Sequence, residues 1–417
     1  MRAPFLHVFR LSSALWLLLT AGAQAAALPR LSLPKTHLTP EEIAVVVNDR
    51  DPLSLRIGRY YAERRGIPPD NIIHVSLDPA RRAVRAKTFQ RIHAEVRKAT
   101  PEGVQAYALT WTRPYRVACM SITTAFAAGF DRAWCSSKVC APTRRSPYFD
   151  SSSRAPFRDF GLRPAMSIAA ETFEEARALI ERGIRADESW PRGTAYLLET
   201  SDKARSVRSV LFPLIRDMLG DRLPIEILRQ DALRNRDDVL FYFTGKPVIK
   251  GLDTLKFLPG AVADHLTSSG GQLPSSPQMN VLAWLRAGAT GSYGAVVEPC
   301  NLLEKFPHPG ALMYYYLNGA TLIEAYWKSV AMPGEGIFVG EPLAAPFAGY
   351  RLRREGDDAL LLETHALPPG RYQLVGADSP VGPFRTLATL RVRRGQYRFL
   401  LPDTGHAWLK LVPVWVR

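Results

Sequence analysis

The chain has 417 residues, 47% of them hydrophobic, with 54 Lys and Arg against 39 Asp and Glu, a formal charge of +15. This composition excludes an intrinsically disordered chain and a disulfide-stapled mini-protein. At about 100–200 residues per domain the length allows two or three domains.

Arg2 and Arg10 flank a short basic segment, Leu11–Ala21 is apolar, and Ala23-Gln24-Ala25 has the small-x-small form of a cleavage site. Residues 1–25 therefore read as a secretory signal peptide, which places a soluble mature chain outside the cytoplasm, periplasmic or secreted. No later run has the ~20 apolar residues of a membrane helix, so no membrane span is expected in the mature chain. The Arg81-Arg82-Ala83-Val84-Arg85 patch favours anionic surfaces. In an exported protein a nucleic acid is the least suitable of these, and none is expected as partner.

Ile43–Val47 reads as a strand, and Asp51-Pro52 as the cap and first position of a helix ending near Gly66. Strands at Asn71–Leu77 and Val104–Thr110 bracket a helix carrying Phe89, Ile92 and Val96. Between 111 and 164 the periodicity gives way to Gly, Pro, Ser and Arg with three of the four cysteines, too long for an ordinary connection. Thr172-Phe173-Glu174-Glu175 is a capping box that opens a helix to about Arg185. A strand at Thr194–Leu198 follows, then a helix from Lys203 to Leu219 with Val207, Val210, Leu211, Leu214, Ile215 and Met218 on its core face.

Strands at Pro224–Leu228, Val239–Thr244, Gly260–Ala263 and within Ala289–Val297 then alternate with helices at Pro277–Ala287, Pro309–Leu317 and Leu322–Ala331. Beyond Pro346 short β segments separated by Gly and Pro turns spell a small β-sandwich. The fold class is α/β: two parallel-sheet units, 40–190 and 191–345, followed by a sandwich at 346–417.

Dinucleotide, P-loop, zincin and nucleophile-elbow signatures are missing, and no cofactor is expected. The cysteines are Cys119, Cys135, Cys140 and Cys300. Cys135 with Cys140 is the natural local disulfide, and the spacing argues against zinc. Polar residues cluster after strands, where open α/β sheets hold ligands. Asn48, Asp49, Arg113 and Tyr115 are candidate ligand-binding residues. Asp264-His265, Gly270-Gly271 and Glu298-Pro299-Cys300 form the other group. If the two strands preceding His265 and Cys300 are adjacent, the imidazole is placed to activate the thiol, with Asp264 or Glu298 orienting it and Gly270 and Gly271 offering N–H groups to an oxyanion.

Val47-Asn48-Asp49-Arg50-Asp51-Pro52, Thr110-Trp111-Thr112-Arg113-Pro114-Tyr115-Arg116-Val117, Asp264-His265-Leu266-Thr267-Ser268 and Gly291-Ser292-Tyr293-Gly294-Ala295-Val296-Val297-Glu298-Pro299-Cys300 resemble an uncharacterised family of exported bacterial proteins. That family occurs in species carrying exosortase, the membrane enzyme that processes proteins with a C-terminal sorting signal. A more distant similarity, in layout, is to gingipain-type cysteine peptidases of the caspase-like superfamily: two α/β units, caspase-like or flavodoxin-like, and then an immunoglobulin-like β domain. Those peptidases carry His-Gly after one strand and Cys after the next. Here the positions read Thr244-Gly245-Lys246 and Asp264-His265, so the resemblance implies a relative that lacks both catalytic residues.

The expected role is thus binding or accessory, in exosortase-linked handling of protein or polysaccharide, whose partner is a protein or polysaccharide of the envelope or secretion system. The alternatives are a cysteine-dependent or carboxylate-dependent hydrolase and a structural envelope protein.

Overall fold

The computed structural model describes residues 27–356 and 358–414. The signal segment expected at 1–25 lies outside the described residues. At the centre is one ten-stranded sheet, in the order Ile225–Arg229, Thr194–Glu199, Arg236–Thr244, Leu255–His265, Gly291–Ala295, Gly336–Gly340, Ala165–Ser167, Ala106–Leu109, Ile43–Asn48, Ile72–Val75. Ile43–Asn48 is buried at every position, as a strand covered on both faces must be. The strands expected from both α/β units enter this one sheet. Ala165–Ser167 and Gly336–Gly340 join them, and neither has the length or alternation that would mark it in the sequence.

The join sets direction. Gly291–Ala295 pairs antiparallel with Gly336–Gly340, which pairs parallel with Ala165–Ser167. On either side of that join the pairs are parallel, so the two halves of the sheet run in opposite senses. The C-terminal ends of the first half and of the second half therefore face opposite edges.

Helix ends follow the local chemistry of the chain. Asp51 caps Pro52–Arg65 by accepting from Leu53 N at 3.0 Å, and Gly66 closes it in the left-handed conformation. Thr172 caps Phe173–Ala186 through Glu175 N at 3.2 Å. The helix expected at 203–219 differs: Val207–Leu211 is a 3-10 turn and only Phe212–Leu219 is α-helical. Pro213 has no N–H to donate and fits only a first turn, so the helix phase restarts there. Phe212, Ile215 and Leu219 face inward, whereas Val210, Leu214 and Met218 are 73%, 61% and 50% exposed.

Trp111, Tyr115, Trp134 and Tyr148 of the 111–164 excursion are all buried and pack into the core of the central sheet. Two disulfides hold it, Cys119–Cys135 and Cys140–Cys300. This corrects the local Cys135–Cys140 pair. The 3-10 turn Arg132–Trp134 brings Cys135 against the Arg116–Ser121 hairpin, and Cys140 meets the segment following Gly291–Ala295. Next to Cys135 in the chain, Ser136 Oγ accepts from Lys305 Nζ, which also donates to Glu335, both at 2.7 Å, with both charged side chains buried.

At the C-terminal end a four-stranded sheet, Arg30–Ser32, Trp408–Pro413, Gly370–Ala377 and Arg385–Val392 in that order, lies over a three-stranded one, Arg351–Arg354, Ala359–Glu363 and Arg398–Pro402. Leu360, Leu362, Leu374, Phe399 and Leu411 make the core between them. Among the described residues no helix is long and apolar enough to cross a membrane.

Candidate functional site

Because the two halves oppose each other, the residues expected to line one cleft divide between two edges. Asn48, Asp49, Arg113 and Tyr115 belong to one, and Asp264, His265, Gly270, Gly271, Glu298 and Cys300 to the other. The composite site does not form.

At the first edge Asn48 is fully buried and clamps the next strand, donating from Nδ2 to Leu77 O at 3.0 Å and accepting from Leu77 N at 2.8 Å. Asp49 is exposed and pairs with His74 at 2.6 Å. Tyr115 is buried, and its backbone N–H donates to Arg82 O. Of the four, only Asp49 and Arg113 present side chains to solvent, and Asp49 is already paired.

At the second edge the expected catalytic group is occupied residue by residue. Cys300 is bonded to Cys140, so it offers no thiol. His265 is 2% exposed; Trp284 Nε1 donates to its Nδ1 at 2.9 Å, and its Nε2 meets Met279 O at 3.0 Å. An imidazole that accepts at Nδ1 and donates at Nε2 is neutral, and burial pushes its pKa down to about 4. Asp264 is locked to Arg208 at 2.6 Å, both side chains buried, while Arg208 also donates to Thr244 O at 2.8 Å. Glu298 accepts from Cys300 N at 2.8 Å and caps that turn.

The glycine pair packs instead of binding. Gly271 N donates to Ala295 O, and a Cβ there would stand 2.3 Å from Gly294 O. Its N–H is therefore spent on the sheet and offers nothing to an oxyanion. Gly270 accepts from Val281 N, which ties the loop to the segment leading into helix Leu282–Ala287.

Around these locked groups lies a charged rim that sequence reasoning missed. Lys246 pairs with Asp231 and donates to Ser201 Oγ at 3.1 Å, and Ser201 N donates to Asp231 at 2.7 Å. The Lys246 ammonium and the Ser201 donors hold the Asp231 carboxyl down to about 2. Arg205 pairs with Asp202 at 2.8 Å and reaches Thr267 Oγ1 at 3.4 Å; Thr267 donates to Gln278 at 2.6 Å. Gly245 lets the backbone of Arg205 approach, since a Cβ would fall 1.8 Å from Arg205 O. The one signal in the sequence was that each of these short loops follows a strand. The rim supplies donors, acceptors and charge, but no free nucleophile. Among the described residues no group of three or more His, Cys, Asp or Glu is placed to hold a metal ion.

No protein family profile and no curated protein matches the chain. Among solved structures it is similar to the Arg-specific cysteine proteinase gingipain R, at 10% identity and a TM-score of 0.48 over 91% of this chain and 96% of that one. A complex of the pro- and mature domains of Porphyromonas gingivalis RgpB is similar at 10% identity and a TM-score of 0.43, over 89% of this chain and 96% of that one. A structure described only as a protease gives 10% and 0.44, over 91% and 98%. Two of these three structures are gingipains, the kind of protein the layout resembles.

Proposed function

We propose that the chain is an exported binding or accessory protein in exosortase-linked handling of protein or polysaccharide, and not a cysteine hydrolase. The observation that carries this reading is that Cys300, the cysteine after Gly291–Ala295, is held by Cys140, while His265 has both ring nitrogens engaged. General-base activation needs a free nucleophile within hydrogen-bond reach of an available base. The exosortase link rests on the four sequence phrases that resemble the exported family. In this reading the chain divides at about 190 and 345, and the rim of Ser201, Asp202, Arg205, Asp231 and Lys246 is the contact surface.

The test has two arms. The oxidised protein is exposed to an irreversible thiol reagent and to a peptide library, and it is also co-sedimented with exopolysaccharide and sorting-signal proteins from exosortase-carrying cells. The expected result is no label, no turnover, and co-sedimentation that Asp231→Lys with Lys246→Glu weakens. A Cys300 adduct accompanied by peptide turnover would overturn the proposal.

A further inference from the structure

The C-terminal four-stranded sheet carries an arrangement of positive charge that no described residue neutralises. Arg371 on Gly370–Ala377 stands directly opposite Arg391 on Arg385–Val392 in the antiparallel register. Directly opposed residues share one face of a sheet, and like charges so placed are destabilising. Both are exposed, while Tyr372 and Val392 beside them turn into the core. Arg393 and Arg394 follow at once, and all four arginines line one shallow concavity with Gly370 and Val414.

Among the described residues none of the four has an ion pair. Arg394 rests over the Tyr314 ring at 5.3 Å, and among the described residues no side chain pairs with the guanidinium of Arg371, Arg391 or Arg393; the backbone N–H of Arg393 donates to Gln396 Oε1 at 3.1 Å. In the three-stranded sheet Arg398, Arg353 and Arg354 are neutralised by Glu363, Glu355 and Asp403. Arg385–Val392 is also the edge strand of its sheet.

We infer that this concavity is an anion site for a phosphate group, held between the Arg371 and Arg391 forks with Arg393 and Arg394 at its rim. Guanidinium binds phosphate bidentately through a planar fork, and two forks on adjacent strands are spaced to share one tetrahedral anion. Binding would remove the like-charge repulsion that the unliganded sheet bears. The site is independent of the strand-end rim, and it concerns the C-terminal sheet alone.

The phosphate can be that of a lipid headgroup or of a soluble compound, and the test separates them. The full chain is titrated at low salt with inorganic pyrophosphate, and with vesicles of phosphatidylcholine alone or mixed in equal parts with phosphatidylglycerol. Tight binding to the mixed vesicles with weak pyrophosphate binding assigns a headgroup; pyrophosphate binding equal to or tighter than vesicle binding assigns a soluble phosphate. In either case Arg371→Gln with Arg391→Gln should weaken binding about 25-fold, at about fivefold per arginine. Arg371→Lys with Arg391→Lys keeps the charge, loses the fork and should lose less than about tenfold. The glutamine variant should melt no lower than the parent, which separates loss of the site from loss of the fold. Arg81→Gln, Arg82→Gln and Arg85→Gln together, on the other basic patch, should leave pyrophosphate binding unchanged and weaken vesicle binding less than the glutamine pair at Arg371 and Arg391. Absence of binding to either probe, or a glutamine variant that binds like the parent, overturns the site.

Discussion

Trp284 donates its indole N–H to Nδ1 of His265 at 2.9 Å, which fixes a neutral imidazole in the interior. Burial holds the folded pKa at about 4, below the ordinary 6.5. The unfolded chain binds the proton first on acidification, so this contribution to stability is complete above pH 6.5 and is lost as the pH falls toward 4. The loss from this one residue amounts to about 3 kcal/mol. Guanidinium unfolding at pH 7 and pH 4.5 should show a smaller acid loss for His265→Gln than for the parent. His365, also pushed down to about 4, is common to both chains and cancels. Equal losses would show that His265 is already protonated in the fold.

The disulfide connectivity predicts two cross-linked peptide pairs after digestion without reduction, Cys119 with Cys135 and Cys140 with Cys300. Mass spectrometry decides this directly, and a peptide linking Cys135 to Cys140 would contradict it. The Cys140–Cys300 bridge closes a separation of 160 residues. Replacing both cysteines by serine should cost about 2–5 kcal/mol of stability.

Arg208 and Asp264 form a buried pair that neither can leave singly. Arg208→Met strands the Asp264 carboxylate, whose Oδ2 has no hydrogen-bond partner, and should cost about 3–5 kcal/mol. The double variant Arg208→Met with Asp264→Leu should recover most of that loss. A single variant that costs less than about 1 kcal/mol in urea unfolding would remove the pair from the account of stability.

Gly294 lies where the strand Gly291–Ala295 meets the Gly270-Gly271 turn. A Cβ would sit 2.5 Å from both Gly270 C and Gly271 N, backbone atoms that cannot turn aside. Gly294→Ala should therefore destabilise by about 1–3 kcal/mol, and Gly103→Ala, where the added carbon meets nothing within 4 Å, serves as its control. Similar melting temperatures for the two would refute the close approach.

These residues also mark where the sequence was readable. Apolar runs such as Ile43–Val47 announce strands because both faces are buried, and Asp51 and Thr172 announce helix starts because the cap is local. Pro213 is an equally local mark, yet the apolar stripe from Val207 to Met218 outweighed it and put the wrong face inward. What periodicity does not contain is direction. The three residues Ala165–Ser167 and the glycine-flanked Gly336–Gly340 decide which way the halves run, and that relation separates Asn48 from His265. The fates of His265 and Cys300 were equally non-local, since Trp284 and Cys140 claim them through tertiary contact.

The pairing of the cysteines also matches the order in which they leave the ribosome. Cys119 meets its partner 16 residues later, before Cys140 has appeared, and Cys140 then waits another 160 residues for Cys300. Each bridge joins neighbours in the sequence of cysteines, so oxidation as the chain emerges produces the native set with no reshuffling, provided that the first pair closes before Cys140 is exposed. Until Cys300 arrives the growing chain holds one unpaired thiol, and the last bridge becomes a covalent record that both halves of the sheet have come together.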